Sequence, residues 1–168
     1  MSQKLRQLIY YKDHVLVPLT QGAMAKIDVK DASLVAGDNW MLSHYGYAVR
    51  SRDGVFMHRL INQTESRLHT DHIDGDPLNN CRSNLRTATA QQNSQNMRSN
   101  KNSSSKFKGV GWDSANARWR AKIKVDGTTK CLGRYKLEET AARVYDSYAE
   151  FYFGEYAKLN FTTSTAVA

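Results

Sequence analysis

The alternation of apolar and polar positions changes rhythm twice along the chain. Residues 15–17 and 24–29 are short apolar runs that predict strands, divided by the turn residues Thr20-Gln21-Gly22. Residues 31–37 predict a short helix. Residues 46–50 and 55–58 predict a hairpin closed by 51–54, with Asp53-Gly54 as its turn signal, and Trp40 is read as core. From 58 to 97 the chain turns polar and rich in His, Asp and Asn. Residues 68–72 and 84–87 predict two strands, and Gly75, Pro77 and Asn79-Asn80 force a loop between them. Thr89 followed three positions later by Gln92 is a capping box, so a helix starts there and carries Asn93 on its first turn.

Residues 98–105 have linker composition, and a domain boundary is expected there. After Lys106 the rhythm is strict. In residues 118–125, Trp119, Ala121, Ile123 and Val125 point one way and Arg118, Arg120, Lys122 and Lys124 the other. Asp126-Gly127 is a turn, residues 128–135 pair back, and residues 109–113 supply a third strand. Residues 136–154 predict a helix with a single stripe of Ala141, Val144, Tyr145, Tyr148, Ala149 and Tyr152, closed by Gly154. Leu137 is a poor N-cap. The stripe should pack on the apolar sheet face and leave the cationic face in solvent.

The 168 residues allow one ordinary domain or two small ones, and 40% hydrophobic content allows a core. The net charge is +8. Residues 1–94 hold 11 basic and 9 acidic side chains, whereas 98–136 hold 11 and 2, so the excess is local to the second half. That concentration favours a nucleic acid over a solvated basic face. Charges interrupt the first eleven residues before any signal-peptide core, and no run approaches a membrane span. The expectation is a cytoplasmic, non-secreted protein, in a bacterium or a phage-infected host. Two distant cysteines without a CxxC exclude a four-thiolate zinc site.

The second stretch carries chemistry. Hydrolysis of a phosphodiester needs an activated water and relief of negative charge. A neutral imidazole takes a proton near neutrality, and a hard divalent cation held by oxygen ligands offsets charge. His72 offers the first and Asp71 and Asn93 the second, while Asn84 is placed to orient His72 across the strand pair. Asp74 and Asp76 are read as loop-shaping residues, His58 and His69 as packed or phosphate-facing, and Arg59 and Arg86 as phosphate contacts.

From about Met57-His58-Arg59-Leu60 to Asn96 the chain resembles the HNH endonucleases, in particular the phage and intron-encoded branch whose last motif position is Asn rather than His. Asn84 and Asn93 follow Asp71 by 13 and 22 positions, as the family's second and third motif positions do. The resemblance implies Asp71 and Asn93 as metal ligands, His72 as general base and Asn84 as positioning residue. It also implies one divalent cation, Mg²⁺ before Mn²⁺, and a cut leaving a 5′-phosphate and a 3′-hydroxyl.

Phe107-Lys108-Gly109-Val110, residues 119–123, Leu132-Gly133-Arg134-Tyr135, residues 141–146 and residues 157–161 resemble the plant ethylene-response-factor (AP-two) DNA-binding domain. The resemblance implies a DNA-facing sheet, with Lys108, Trp112, Arg118, Arg120, Lys122, Lys124 and Lys130 as contacts. Gly111 and Asp113 stand where plant domains often carry Arg, Lys122 at a usual Glu and Cys131 at a usual Trp, so the plant target sequence is not implied.

The expected architecture is α+β. A mainly β segment (1–57) packs with an HNH ββα-metal core (58–97), followed by the linker, a three-stranded antiparallel sheet packed on one helix (106–161) and a tail (162–168). The expected function is a metal-dependent endonuclease of the homing or phage type acting on double-stranded DNA. It works as a monomer or a DNA-dependent dimer, without a membrane or protein partner. The rivals are a DNA-binding regulator with an inactive nuclease fold and an RNA binder.

Overall fold

The structure, a computed structural model, describes residues 4–96 and 103–161. The chain forms two compact units, Met1–Asn93 and Ser94–Ala168. Residues 98–102 of the expected linker and all of the expected tail, 162–168, lie outside the described residues.

In the first unit β1 (Ile9–Tyr10), β2 (Val15–Pro18) and β3 (Met24–Ile27) form an antiparallel sheet in that order. Alternation along β2 and β3 buries Val15, Val17, Ala25 and Ile27 on one face. β3 stops two residues before its expected end, because Val29–Asp31 closes into a 3₁₀ turn that leads into the short helix α1 (Ala32–Val35).

The expected hairpin of 46–50 with 55–58 is corrected. β5 (Ala48–Arg50) pairs with β4 (Trp40–Leu42), with Trp40 opposite Arg50. The turn at 51–54 does form, with the Arg50 N–H donating to the Val55 carbonyl at 2.8 Å, but only one bridge, Val49 to Phe56, follows it. The chain then enters helix α2 (Met57–Asn62). Met57 and Ile61 lie four residues apart, both 0% exposed, so helical spacing buries two large side chains on one face where a strand would separate them. Trp40 is core as expected, its indole N–H donating to the Val35 carbonyl at 3.1 Å.

β6 (His69–His72) and β7 (Leu85–Ala88) are antiparallel, with Asp71 opposite Arg86 and His72 opposite Leu85. Helix α3 (Ala90–Asn96) follows at once. Its capping box is reciprocal: the Thr89 N–H donates to Gln92 Oε1 at 2.8 Å and the Gln92 N–H to Thr89 Oγ1 at 3.2 Å. The loop between β6 and β7 is stitched to β3, where Lys26 N–H donates to the Leu78 carbonyl and Asn80 N–H to the Lys26 carbonyl. Arg82 adds an ion pair with the buried Asp31 at 2.8 Å. One apolar cluster joins β2, β3, α1, α2 and Leu85, so the N-terminal segment and the polar stretch share a core.

The second unit is a three-stranded antiparallel sheet with β9 (Arg118–Val125) central between β8 (Val110–Asp113) and β10 (Thr128–Tyr135), packed on helix α4 (Glu138–Phe153). Asp126 and Gly127 both have positive φ, 49° and 78°, in the two-residue turn that sets Val125 opposite Thr128. Val110, Ala121 and Ile123 are buried with Ala141, Ala142, Tyr145 and Ala149 of α4. The contact stripe is narrower than expected, since Tyr148 and Tyr152 are 43% and 36% exposed. Alanines let the helix lie close to the sheet, as does Gly109, where a Cβ would meet the Tyr145 ring at 1.9 Å. α4 starts two residues later than expected, after Leu137, whose side chain makes no capping bond.

Candidate active site and charged sheet face

The polar stretch folds inward. Asp71 and His72 are adjacent on β6, 5% and 6% exposed, although their neighbours in sequence are charged and loop-forming. As neighbours on a strand their side chains leave β6 in different directions, yet the His72 ring still feels the charge of Asp71. Each meets a different partner.

Across the ribbon from Asp71 stands Arg86, whose Nε and Nη2 donate to Asp71 Oδ2 at 2.9 and 2.8 Å. Both side chains are largely buried. Register alone brings them together, since directly opposed residues of an antiparallel pair interact. Arg86, expected on a phosphate, is therefore also the counter-ion of the expected metal ligand.

His72 faces an aromatic group. Its ring lies 5.1 Å from that of His58 and 6.0 Å from that of Tyr47, and the Phe56 ring lies tilted beside His58 at 5.3 Å. Burial pushes the His72 imidazole below its ordinary value, against opposing pulls from Asn80 and from Asp74, Asp71 and Asp76. Burial drives His58 down further, to about 3, helped by His72 and Arg59. Both rings are thus neutral near neutral pH.

Which nitrogen of His72 carries the proton follows from one contact. His72 Nε2 lies 3.2 Å from Asn80 Oδ1. The Asn80 amide nitrogen donates to the Leu78 carbonyl at 3.1 Å, which fixes the amide's orientation. Oδ1 can only accept, so Nε2 donates and Nδ1 is the basic nitrogen of the neutral ring. Asn80 is wholly buried, with its backbone tied to β3.

Asn84 does not do what the sequence suggested. Its Oδ1 accepts from the Asp74 N–H at 3.0 Å, and its Nδ2 donates to Asp74 Oδ1 and to the Asn79 carbonyl. It locks the loop that carries Asn80 and does not bond His72. Asp74 and Asp76 shape that loop as expected, accepting from the Asp76 and Leu78 N–H groups. Asn93 sits half-buried near the start of α3, its N–H donating to the Thr89 carbonyl at 2.9 Å. Arg59 donates to the Glu65 carbonyl at 3.0 Å.

The sequence reading gave Asn80 no role at the site, and it left His58 as packed or phosphate-facing. Asn80 carried a signal, an Asn pair in a loop beside a His, but loop position gives no bond. Among the described residues His58 Nδ1 is buried with no hydrogen-bond partner, and nothing in the sequence separates that from an ordinary packed ring. Among the described residues no three His, Cys, Asp or Glu side chains gather as a metal-holding group. Asp71 and Asn93, the expected ligands, are oxygen donors, a chemistry that suits a hard cation keeping several waters rather than a zinc ion.

In the second unit the register sorts the cations. Arg118, Arg120, Lys122 and Lys124 share one sheet face, with the two lysines exposed. A bulge between Cys131 and Gly133 sets Arg134 opposite Arg120, so Arg134 joins that face. Asp113 sits among them, 2.7 Å from Arg134 Nε and 4.0 Å from Arg120 Nη1, and the Arg134 guanidinium holds its carboxyl down at about 2.

Two expected contacts lie on the other face. Lys130 is opposite Ile123, and its ammonium lies 4.9 Å over the Tyr152 ring of α4. Trp112 is opposite Trp119, 45% exposed, with the two rings 5.1 Å apart. Trp119 packs on the core as expected. Lys108 turns inward onto the Gln95 carbonyl, and burial lowers it to about 8. Cys131 is exposed and free, Cys81 buried and free.

Known proteins resemble this chain in the same region. The family described as HNH endonuclease matches residues 55–95, which take in α2, β6, β7 and most of α3. An uncharacterised HNH endonuclease of Acanthamoeba polyphaga mimivirus is 37% identical over 147 residues, 83% of this chain and 76% of that protein. Protein 3.8 of Escherichia phage T7 is 34% identical over 90 residues, 54% of this chain and 74% of that protein. The mimivirus match is longer than the first unit alone, so the likeness extends beyond the nuclease region. At that identity and coverage, the chain belongs to the HNH endonuclease family and is a nuclease.

Proposed function

We propose that this nuclease hydrolyses phosphodiester bonds of duplex DNA at Asp71, His72 and Asn93, with the second unit gripping the duplex through its charged sheet face. The observation that carries the reading is the bond from His72 Nε2 to Asn80 Oδ1, which fixes the tautomer whose basic nitrogen is Nδ1. His72 Nδ1 takes the proton from a water that attacks phosphorus. The P–O3′ bond breaks and O3′ takes a proton from solvent water, leaving a 5′-phosphate and a 3′-hydroxyl. Asn80 holds the ring and stabilises the imidazolium that forms, and Asn84 keeps the loop that carries Asn80 in place.

HNH nucleases generally depend on a divalent metal, and the oxygen donors here fit one. Asp71 and Asn93 would hold it, with Mg²⁺ before Mn²⁺, and when bound it would offset charge on the phosphate and the leaving oxygen. Arg59 and Arg86 are the phosphate contacts of the first unit. Arg118, Arg120, Lys122, Lys124 and Arg134 are those of the second, in a sheet face of the AP-two kind. One centre cuts one strand, so a monomer nicks, and a homing or phage role fits this two-part design.

Supercoiled plasmid incubated with the protein and Mg²⁺ or Mn²⁺ is expected to become nicked, and a chelator to stop it. His72→Ala is expected to lower the rate by about 10²–10⁴-fold while leaving plasmid binding intact. Equal cleavage by His72→Ala would remove this base from the mechanism.

A further inference from the structure

We propose that Arg86 is the built-in counter-ion of Asp71 and makes cation loading at this site depend on bound DNA. The proposal rests on Asp71 being a metal ligand. It starts from two contacts, Nε and Nη2 of Arg86 on Asp71 Oδ2 at 2.9 and 2.8 Å, between side chains 12% and 6% exposed.

A carboxylate this deep needs a compensating charge. Arg86 supplies one that never titrates away. The Asp71–Arg86 pair is therefore neutral, and the Asn93 amide is neutral too. The donor set presents no net charge to a dication, and affinity for hard cations rises with the charge of the ligands. The carboxylates next along the loop do not restore the balance: Asp74 is held by the Asp76 N–H, Asn84 Nδ2 and Asn79 Nδ2, and Asp76 by the Leu78 N–H. The free protein thus binds Mg²⁺ or Mn²⁺ weakly.

A backbone phosphate changes both terms. It brings negative charge to the cation, and it offers the guanidinium a second anion to neutralise. DNA then tightens cation binding, and by linkage the cation tightens DNA binding by the same factor. Arg86 is in this account a positioning residue that keeps the site folded without metal and restrains loading until substrate arrives.

The test measures unbound Mn²⁺ by electron paramagnetic resonance, using the full chain in a His72→Ala background so that a short duplex stays intact. The chain with Arg86 is expected to bind Mn²⁺ about 5–150-fold more tightly with duplex than without. Arg86→Gln is expected to bind Mn²⁺ about tenfold more tightly without DNA and to lose most of the DNA-dependent gain. Arg86→Lys keeps the charge but not the fork that meets Asp71 Oδ2, and is expected to keep the DNA-dependent gain in direction at a smaller size. Weaker Mn²⁺ binding by DNA-free Arg86→Gln, or affinity equal to the parent's, overturns the proposal and leaves the metal site standing. Should Arg86→Gln fail to fold, a parent whose DNA affinity does not rise with Mn²⁺ overturns it equally. If no form binds Mn²⁺ even with duplex, the metal assignment itself falls and takes this inference with it.

Discussion

The two units handle charge in opposite ways. The first buries it with other polar groups: Asp31, Asp71, His58, His72, Asn80 and Asn84 are all under a tenth exposed, with Asp31 paired to Arg82, Asp71 to Arg86, and one His58 nitrogen orphaned among the described residues. The second displays it, with Lys122 and Lys124 exposed on one face of a sheet whose other face is core. A buried polar group costs stability unless its partners are fixed, so the first unit trades stability for a single arrangement of groups. An exposed cation costs little, and its value lies in the long-range attraction of an acidic partner. In the proposed function, chemistry that needs one geometry would sit in the first kind of environment. Affinity that needs only a charge of the right sign would sit in the second.

The largest expected effect lies in the displayed charges. Changing Arg118, Arg120, Lys122 and Lys124 together to Ala is expected to lower DNA affinity steeply. The slope of log affinity against log salt should fall by about four, roughly one per phosphate contact. Folding should be little altered, since Ala121, Ile123 and the α4 contacts are untouched. Fluorescence anisotropy on a labelled duplex across a salt series measures this. An unchanged slope would show that the displayed face is not the one that meets DNA, and the contrast between the units would lose its functional meaning.

The same contrast explains what the sequence made legible. The alternation of 118–125 gives β9 and its charged face directly, because each side chain's direction follows from its neighbours. The Thr89–Gln92 box gives the start of α3, because both of its bonds are local. What was missed is non-local. β5 chose β4 over 55–58 because Trp40 draws that pairing into the core. Asn80, rather than Asn84, reached His72 because the loop is stitched to β3, more than fifty residues earlier. The Asp71–Arg86 pair required the register of β6 on β7. Lys130 is the exception, since a two-residue turn at Asp126-Gly127 already sets Val125 opposite Thr128, and counting onward puts Lys130 with Ile123 on the helix side.

His58 sharpens the comparison from the buried side. Its folded value near 3 lies below the ordinary 6.5 because burial disfavours the charged ring. Between those values the unfolded chain binds a proton that the folded one refuses. The stability at stake is thus fully present above about pH 6.5 and is lost as pH falls toward 3. At pH 5 this one group costs on the order of 2 kcal/mol relative to neutrality. His58→Phe suits a site lined by Tyr47, Phe56 and His72. It is expected to remove that share of the acid sensitivity, leaving the part due to His72, whose value is depressed in the same direction. Hydrogen-exchange protection of β6 and β7 amides at pH 7 and pH 5 reads the first unit alone. Identical losses in the parent and His58→Phe would mean that the ring is protonated where it lies.

The smallest effect tests the faces of the sheet against each other. Lys124 and Lys130 are both lysines on adjacent strands, yet the register puts Lys124 on the charged face and Lys130 over Tyr152. Lys130→Ala is expected to cost about 0.5–1 kcal/mol of stability, the scale of an exposed cation–π contact, and to leave the salt slope of DNA binding unchanged. Lys124→Ala is expected to do the reverse, lowering the slope by about one with stability unmoved. A thermal melt and a salt series on the two single variants separate them. If Lys130→Ala lowers the slope as much as Lys124→Ala does, DNA touches both faces of β10 or its edge. Display on a single face would then no longer describe how the second unit holds its partner.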